Sequence, residues 1–373
     1  MIEFAGLMSI IIIFVGVSSG VTPYFNRSSQ FGVTLPEKYQ NNSLVKTQQK
    51  KFLWVNILLG IILAVPIIYF IGFEDAEKAA LWISFYLLFA LVVFFTVTSI
   101  LFLTIRKKIM NFKAELPVSE LELQDLVIDT NYRHRKLIVP SYFILLTNLL
   151  IIVLVVAITF VNYDRIPHQI VTHWTIDMQP DRMTTKTIFT ILYVPIIQVF
   201  MMGIFYLSNY SFQKAKQKID PRHPEVSVEK NRAFRYAWSV FMLILSIAVQ
   251  LLMAVIQLVM IFNWMDKINF PLVLVLFFVL ILGGSIYLSF KYGQSGERFK
   301  VRNATDSETK TVSGYDDDAS WKMGAIYFNP KDPSVWVEKR FGIGITMNMA
   351  RWQTWCFLLG LLCFPIMITL LFM

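Results

Sequence analysis

Charge is scarce in this chain. Only 16% of its 373 residues are Asp, Glu, Lys or Arg, and 56% are hydrophobic, against about 25% charged in soluble domains. So apolar a chain of this length belongs to a membrane rather than to a large soluble core. Cysteine is scarcer still. Cys356 and Cys363 are the only two, and both lie in the last apolar run. That excludes an extracellular disulfide framework and a C-x-x-C metal site. Walker loops, G-x-S-x-G, H-E-x-x-H and Cys–His pairs are missing too, so no catalytic residue is assigned. The interiors of the apolar runs carry no ionisable residue, which argues against a proton- or sodium-coupled transporter.

What is present are long apolar runs. Eight are long enough to span a bilayer, at about 4–24, 52–73, 79–105, 138–162, 187–210, 235–262, 271–290 and 354–372. The first has no basic flank, since Glu3 is the only early charge, and lacks an A-x-A cleavage site, so it reads as a mature helix. Pro66, Pro195 and Pro365 are expected to break single helices. Asn56, Thr96, Asn148, Gln198, Ser246, Gln250 and Gln257 are polar points inside the runs, of the kind that joins helices.

The connecting segments set an orientation. Segments 25–51, 106–137, 211–235 and 291–353 carry 5, 7, 7 and 10 Lys+Arg, and segments 74–78, 163–186 and 263–270 carry 1, 3 and 1. By the positive-inside rule the rich segments face the cytoplasm and both termini lie outside. The net charge of +9 then reflects topology and anionic lipid rather than nucleic acid.

Residues 163–186 form a polar island between the fourth and fifth runs and face outward. The island holds His168, His173, Trp174, Asp177, Asp181 and Arg182, with turn signals at Ile166-Pro167 and Gln179-Pro180. Three readings stay open. It is a hydrogen-bonded cap over the helices, a recognition site for a peptide or lipid, or a zinc-like site using His168, His173 and Asp177 or Asp181. His168 and His173 are five residues apart and share no helix face.

Among the inward segments, Phe31-Gly32-Val33-Thr34-Leu35-Pro36 reads as an extended clip. Segment 106–137 opens with Arg106-Lys107-Lys108 as a stop-transfer flank. It goes on to a capping box at Ser119-Glu120-Leu121-Glu122, heading a short amphipathic helix through Ile128. Segment 211–235 reads as a solvated basic loop. In 291–353 a polar first half contains the acidic run Asp316-Asp317-Asp318, read as solvated. Gly324–Asn329 and Val335–Lys339 read as two strands of one hairpin around Pro330 and Pro333. Tyr327, Asn329, Pro330, Trp336, Arg340 and Phe341 are the candidate surface for a cytoplasmic regulator. Phe341-Gly342-Ile343-Gly344-Ile345-Thr346 echoes the clip at Phe31, and the two are expected to lie together at the inner membrane surface. Trp352 and Trp355 sit where an aromatic belt belongs.

The pattern Ile166-Pro167, His173-Trp174, Pro180-Asp181-Arg182 and Lys186 resembles the extracellular segment of a bacterial membrane family of unassigned function. That segment also occurs in the sporulation-delay-toxin immunity proteins of Gram-positive bacteria. Met178 stands where that segment usually has glycine. Trp321, Tyr327-Phe328-Asn329-Pro330, Asp332-Pro333, Val337, Lys339-Arg340-Phe341-Gly342 and Thr346-x-Asn348 resemble the C-terminal module of the same group. The resemblance implies a multi-pass bacterial plasma-membrane protein without an assigned activity. The immunity proteins confer resistance to a membrane-active toxin and can hold a repressor at the membrane.

The expectation is an all-α integral membrane protein of about eight transmembrane helices with a small cytoplasmic β-hairpin module. It divides into 1–105 (three helices and the clip), 106–137 (amphipathic loop) and 138–210 (helices four and five). Then follow 211–290 (helices six and seven), 291–353 (the module) and 354–373 (helix eight). Its function is expected to be non-enzymatic and without cofactor: sensing of, or immunity to, envelope-active peptides. A transporter or channel, and a metal-dependent enzyme with zinc on the outer island, are the alternatives.

Overall fold

The computed structural model describes residues 2–70, 76–117, 132, 135–175, 179–217, 219–220, 223–264, 267–301 and 317–372. The expected amphipathic helix at 119–128, Asp177, Met178 and Asp316 lie outside the described residues.

Eight long helices follow in order: α1 (Ile2–Val21), α2 (Ser43–Tyr69), α3 (Ala76–Ala114), α4 (Tyr142–Val161), α5 (Ile188–Lys214), α6 (Pro224–Phe262), α7 (Phe270–Tyr292) and α8 (Trp352–Phe372). Seven are long and apolar enough to cross a membrane, and the eighth is a shorter apolar helix. The chain is therefore a multi-pass helical membrane protein. Two helices outrun their apolar cores. α3 continues to Ala114, and α6 begins at Pro224 rather than near 235. Lys and Arg are good helix formers, so basic flanks prolong a helix beyond the hydrocarbon. The expected breaks at Pro66, Pro195 and Pro365 do not occur, because each proline lies inside a continuing helix.

The chain divides into two compact units. The first comprises Met1–Asp129, Lys216–Lys230 and Gly293–Arg351; the second comprises Thr130–Ala215, Asn231–Tyr292 and Trp352–Met373. The 291–353 segment is thus not a module apart, because Gly293–Arg351 folds with the first three helices.

In the first unit α1 lies against α2 through glycines. A Cβ on Gly16 would stand 2.7 Å from the Asn56 carbonyl oxygen, and one on Gly60 would stand 3.2 Å from the Gly16 Cα. Small residues let two backbones approach, which is how helices gain dispersion contacts in lipid. Ile12, Leu63, Ile67, Ile83 and Phe94 fill the core beside this seam. Three two-stranded antiparallel sheets complete the unit. β1 (Ser29–Gln30) pairs with β2 (Val33–Thr34). The other strands, taken in order after the second unit's β3 and β4, are β5 (Trp321–Lys322) with β6 (Ile326–Tyr327) and β7 (Trp336–Glu338) with β8 (Ile345–Met347). The expected pairing of 324–329 with 335–339 is therefore replaced by two separate hairpins. Gly324 at φ +77°, and Gly342 and Gly344 at φ +83° and +109°, make the turns.

In the second unit, β3 (Gln169–Trp174) and β4 (Pro180–Thr185) form one antiparallel hairpin. α4 and α6 run parallel. Asn148 meets Ser246 and Thr159 meets Gln257, each pair 98 residues apart. α5 runs antiparallel to α6, since Gln198 meets Gln250 and Ile191 meets Gln257.

Candidate functional site

Two constructions stand out, one in each unit. The second unit's hairpin buries side chains along one strand, β3, while β4 is tied to α5 only at its end, where the Thr185 carbonyl accepts from the Thr190 hydroxyl at 3.1 Å. Ile170 and Val171 of β3 are buried. Ile166, Ile170 and Trp174 pack with Ile191 and Val194 of α5 and Met260 and Ile261 of α6. Lys186 closes the base of the hairpin. Its ammonium donates to the carbonyls of Tyr163 (2.9 Å) and Ile166 (3.0 Å) and stands 4.2 Å over the Tyr163 ring.

β4 is exposed at all six positions. The register slips between Val171 and His173 and again between His173 and Trp174. His173 therefore faces Arg182 while Trp174 faces Pro180. Such a bulge re-aims side chains, and here it sets Asp181 beside His173. The His173 Nδ1–H donates to the Asp181 carboxylate at 2.6 Å, with both side chains open to solvent.

Of the six island residues expected at a site, His173, Asp181 and Arg182 come together on the exposed part of the hairpin. His168 does not join them. It pairs at the base through its carbonyl, which accepts from the Lys186 backbone N–H. It lies just outside β3, at the far end of the strand from His173. Among the described residues no three His, Cys, Asp or Glu side chains converge. Trp174 belongs to the apolar anchor.

The first unit's strands form a cage around the Phe31-Gly32 turn. Phe31 is fully buried at φ +49°. Its ring meets Phe52 at 5.3 Å, Phe341 at 5.8 Å and Phe102 at 5.9 Å. The two Phe-Gly segments lie together, as expected from their likeness. A Cβ on Gly32 would fall 2.2 Å from the Gly324 carbonyl oxygen. Arg106 Nη1 donates to the carbonyls of Gly32 (2.6 Å) and Phe31 (3.2 Å). This expected stop-transfer arginine is therefore buried inside α3.

Asp317 and Asp318 are paired rather than solvated. Arg340 binds both carboxylates. Asp318 also accepts from Lys113 at 2.8 Å and from the Thr34 backbone N–H at 3.1 Å. Burial alone would raise the Asp318 carboxyl, but Arg340 and Lys113 outweigh it and hold it below the usual carboxylate range.

A second polar centre holds the Pro330–Pro333 turn. Asn348 Nδ2 donates to the carbonyls of Asn329 (2.9 Å), Asp332 (3.2 Å) and Ser334 (3.2 Å), and its Oδ1 accepts from the Asn329 N–H. Asp332 accepts from the Tyr327 hydroxyl at 2.7 Å and from Lys216 at 2.9 Å. Burial would raise its carboxyl. Hydrogen bonds from the Ser334 N–H, Tyr327 and Lys216 prevail and lower it to about 2. Burial and the Asp332 bond together push the Tyr327 hydroxyl well above its ordinary value.

The surface expected for a regulator is corrected by this burial. Tyr327 and Arg340 are interior, Asn329, Trp336 and Phe341 are half-buried, and Pro330 alone of the six is exposed. Met323, Ile326 and Phe328 are the apolar side chains that β5, β6 and their flanks expose. The basic segment 211–235 is likewise not simply solvated. Lys216 joins Asp332. Fully buried Arg235 donates to the carbonyls of Phe212 (2.9 Å) and Ala215 (3.1 Å), capping the end of α5. Sequence reasoning missed Arg106, Asp318, Asp332 and Arg235 as structural centres. The available signal was a charge next to an apolar run or inside an Asp-Pro or Phe-Gly motif.

Comparison with known proteins reaches both regions. Residues 150–199, running from α4 through the hairpin into α5, match a domain of unknown function, DUF1648. Residues 330–355, covering β7, β8 and the start of α8, match a family of unknown function, DUF5808. Together with the apolar helices, these two matches fit an uncharacterised membrane-protein family. No curated protein and no solved structure matches the chain.

Proposed function

We propose that the protein is a non-enzymatic bacterial cell-membrane receptor, without cofactor, that senses or confers immunity to envelope-active peptides. In this reading the 163–186 hairpin faces outward, the basic segments face the cytoplasm and both termini lie outside. The observation that carries it is the asymmetry of the hairpin. β3 is fixed to two helices, while β4 is exposed at every residue and, among the described residues, has β3 as its one strand partner. A rigid hairpin with a bare strand edge suits an extended peptide, which would add as a third strand. The His173–Asp181 pair and Arg182 flank that edge and would read a charged residue or a peptide terminus. The likeness of residues 150–199 to DUF1648 concentrates similarity on this hairpin. On the cytoplasmic side the exposed Met323, Ile326, Phe328 and Pro330 would meet a regulator.

The test is a deletion strain complemented with wild type, Asp181→Asn or a His173→Ala/Arg182→Ala double variant, challenged with envelope-active peptides. Restored resistance with wild type and loss with the variants at equal membrane abundance is expected. Equal sensitivity in every strain sinks the reading. Metal analysis of purified protein separates it from the zinc alternative, which requires stoichiometric metal that is lost on replacing His173.

A further inference from the structure

Proline 195 opens a polar seam inside the second unit. Lacking an N–H, it leaves the Ile191 carbonyl one turn earlier without its helical donor. Gln257 Nε2 supplies the missing bond at 2.8 Å. The seam continues along one face of α6. Gln250 and Gln198 exchange bonds to each other's backbone carbonyls at 2.9 and 3.1 Å. Asn148 Nδ2 meets Ser246 Oγ at 3.2 Å, and Ser239 Oγ donates to Asn209 Oδ1. Asn148, Gln198, Ser246, Gln250 and Gln257 are all fully buried.

Four acceptors in this seam lack a donor: Asn148 Oδ1, Gln198 Oε1, Gln250 Oε1 and Gln257 Oε1. In an apolar span an acceptor left without a donor is destabilising. Turning the amides over would not help, because the nitrogens already donate and would be stranded in their place. Three of the four oxygens belong to residues that neighbour one another along α6. Gln198 faces Gln250, and Ser246, which holds Asn148, lies one helical turn from Gln250, about 6 Å along the axis. With Ser246 Oγ they make four neutral oxygens contributed by α4, α5 and α6. One water offers only two O–H groups to three unmet acceptors. A small hard cation accepts any number of oxygen ligands. Among the described residues no carboxylate is bonded into the seam, so the cation it suits carries a single charge.

We propose that Asn148, Gln198, Ser246 and Gln250 bind a desolvated alkali cation between α4, α5 and α6. The site is independent of the peptide reading and needs no ionisable side chain, so the uncharged helix interiors do not oppose it.

The test is thermal unfolding of the detergent-purified full-length protein while sodium or potassium chloride replaces N-methylglucamine chloride at constant ionic strength. A saturable rise in Tm of about 3 °C or more is expected in one alkali salt. It should vanish in Gln250→Leu and shrink in Ser246→Ala, a milder change that carries the test if the first variant does not fold. Gln257→Leu should lower the Tm, since it strips the Ile191 carbonyl of its donor, yet keep the salt-dependent rise. Coincident curves in all three salts overturn the proposal and assign the oxygens to internal water. A rise that survives both Gln250→Leu and Ser246→Ala overturns it as a nonspecific salt effect.

Discussion

The chain builds its strands in two opposite ways. Around Phe31-Gly32 the chain is buried from Ser28 to Leu35. Three aromatic rings pack on Phe31 of the turn, Arg106 takes its carbonyls, and Arg340 is held between two aspartates. At 169–185 one strand is packed through Ile170, Val171 and Trp174, and the side chains of the other are exposed. A buried charge that loses its partner is costly, whereas an exposed pair contributes little. Stability should therefore concentrate in the first construction and adaptability in the second. This difference also separates motif from site. The Phe-Gly repeats and the Asp-Pro turn serve the fold, while in the proposed reading His173, Asp181 and Arg182 are left for binding.

The sharpest break of this contrast is Gly32→Ala. The backbone sits at φ +73°, and the new Cβ would fall 2.2 Å from one backbone oxygen and 2.6 Å from the Gly324 Cα. Neither atom can swing away as a side-chain end would. The expected loss is about 4 kcal/mol or more, seen as failure of residues 317–351 to resist limited proteolysis in membranes. An intact, protease-resistant protein would show that the Phe31 turn is not caged.

Next comes Arg340→Met. It takes the forked partner from Asp317 and Asp318, leaves Asp318 with Lys113 and the nearby charge of Arg106, and should cost about 2–4 kcal/mol. Arg340→Lys should recover only part of this, because a single ammonium cannot fork to two carboxylates. Full stability of the lysine variant would reduce the arrangement to simple charge balance.

Acid should distinguish the two constructions with a smaller effect. Asp332 titrates at about 2 in the folded chain, below the 3.8 of a free carboxyl. The folded state then binds fewer protons, so the carboxylate stabilises it above about pH 4. That contribution drains away as the pH falls towards about 2. Asp318 is lowered as well and adds in the same direction. Proteolysis of the 317–351 strands should thus rise between about pH 4 and pH 2, and Asp332→Asn should flatten this rise while lowering stability at neutral pH. A variant that keeps the wild-type acid profile would remove Asp332 from the account.

The helices were legible because hydropathy acts locally: a run of about 20 apolar residues has to span or be buried whatever else the chain does. Their ends were less legible. Whether Arg106 stops a helix or lies inside one depends on carbonyls 74 and 75 residues away. The likeness of Phe31-Gly32 to Phe341-Gly342 showed which segments meet, since both carry the same apolar side chain beside a flexible turn. It could not show the strand partners. Trp336–Glu338 pairs with Ile345–Met347 across the 339–344 turn, while Asn348 and Asp332 fold the preceding Pro330–Pro333 turn into a polar knot. Such knots leave no periodicity. In the island, alternation along β3 and the Pro-Asp signal were readable. The bulge that brings Asp181 rather than His168 to His173 was not, because register depends on the partner strand.

The smallest stability effect is predicted where the functional effect should be largest. His173 and Asp181 are 64% and 40% exposed at their side chains. An ion pair so open to water contributes about 0–1 kcal/mol. Asp181→Asn should therefore unfold at nearly the wild-type temperature, since the hairpin keeps Ile170, Val171 and Trp174 in their apolar cluster. By contrast, Ile170→Ala should cost about 2–4 kcal/mol, because it opens a cavity among α5, α6 and β3. If both variants lose peptide resistance but only the second loses stability, β4 is a surface kept free for binding. If Asp181→Asn destabilises as much as Ile170→Ala, the His173–Asp181 pair is a staple, and the two constructions differ in exposure without differing in purpose.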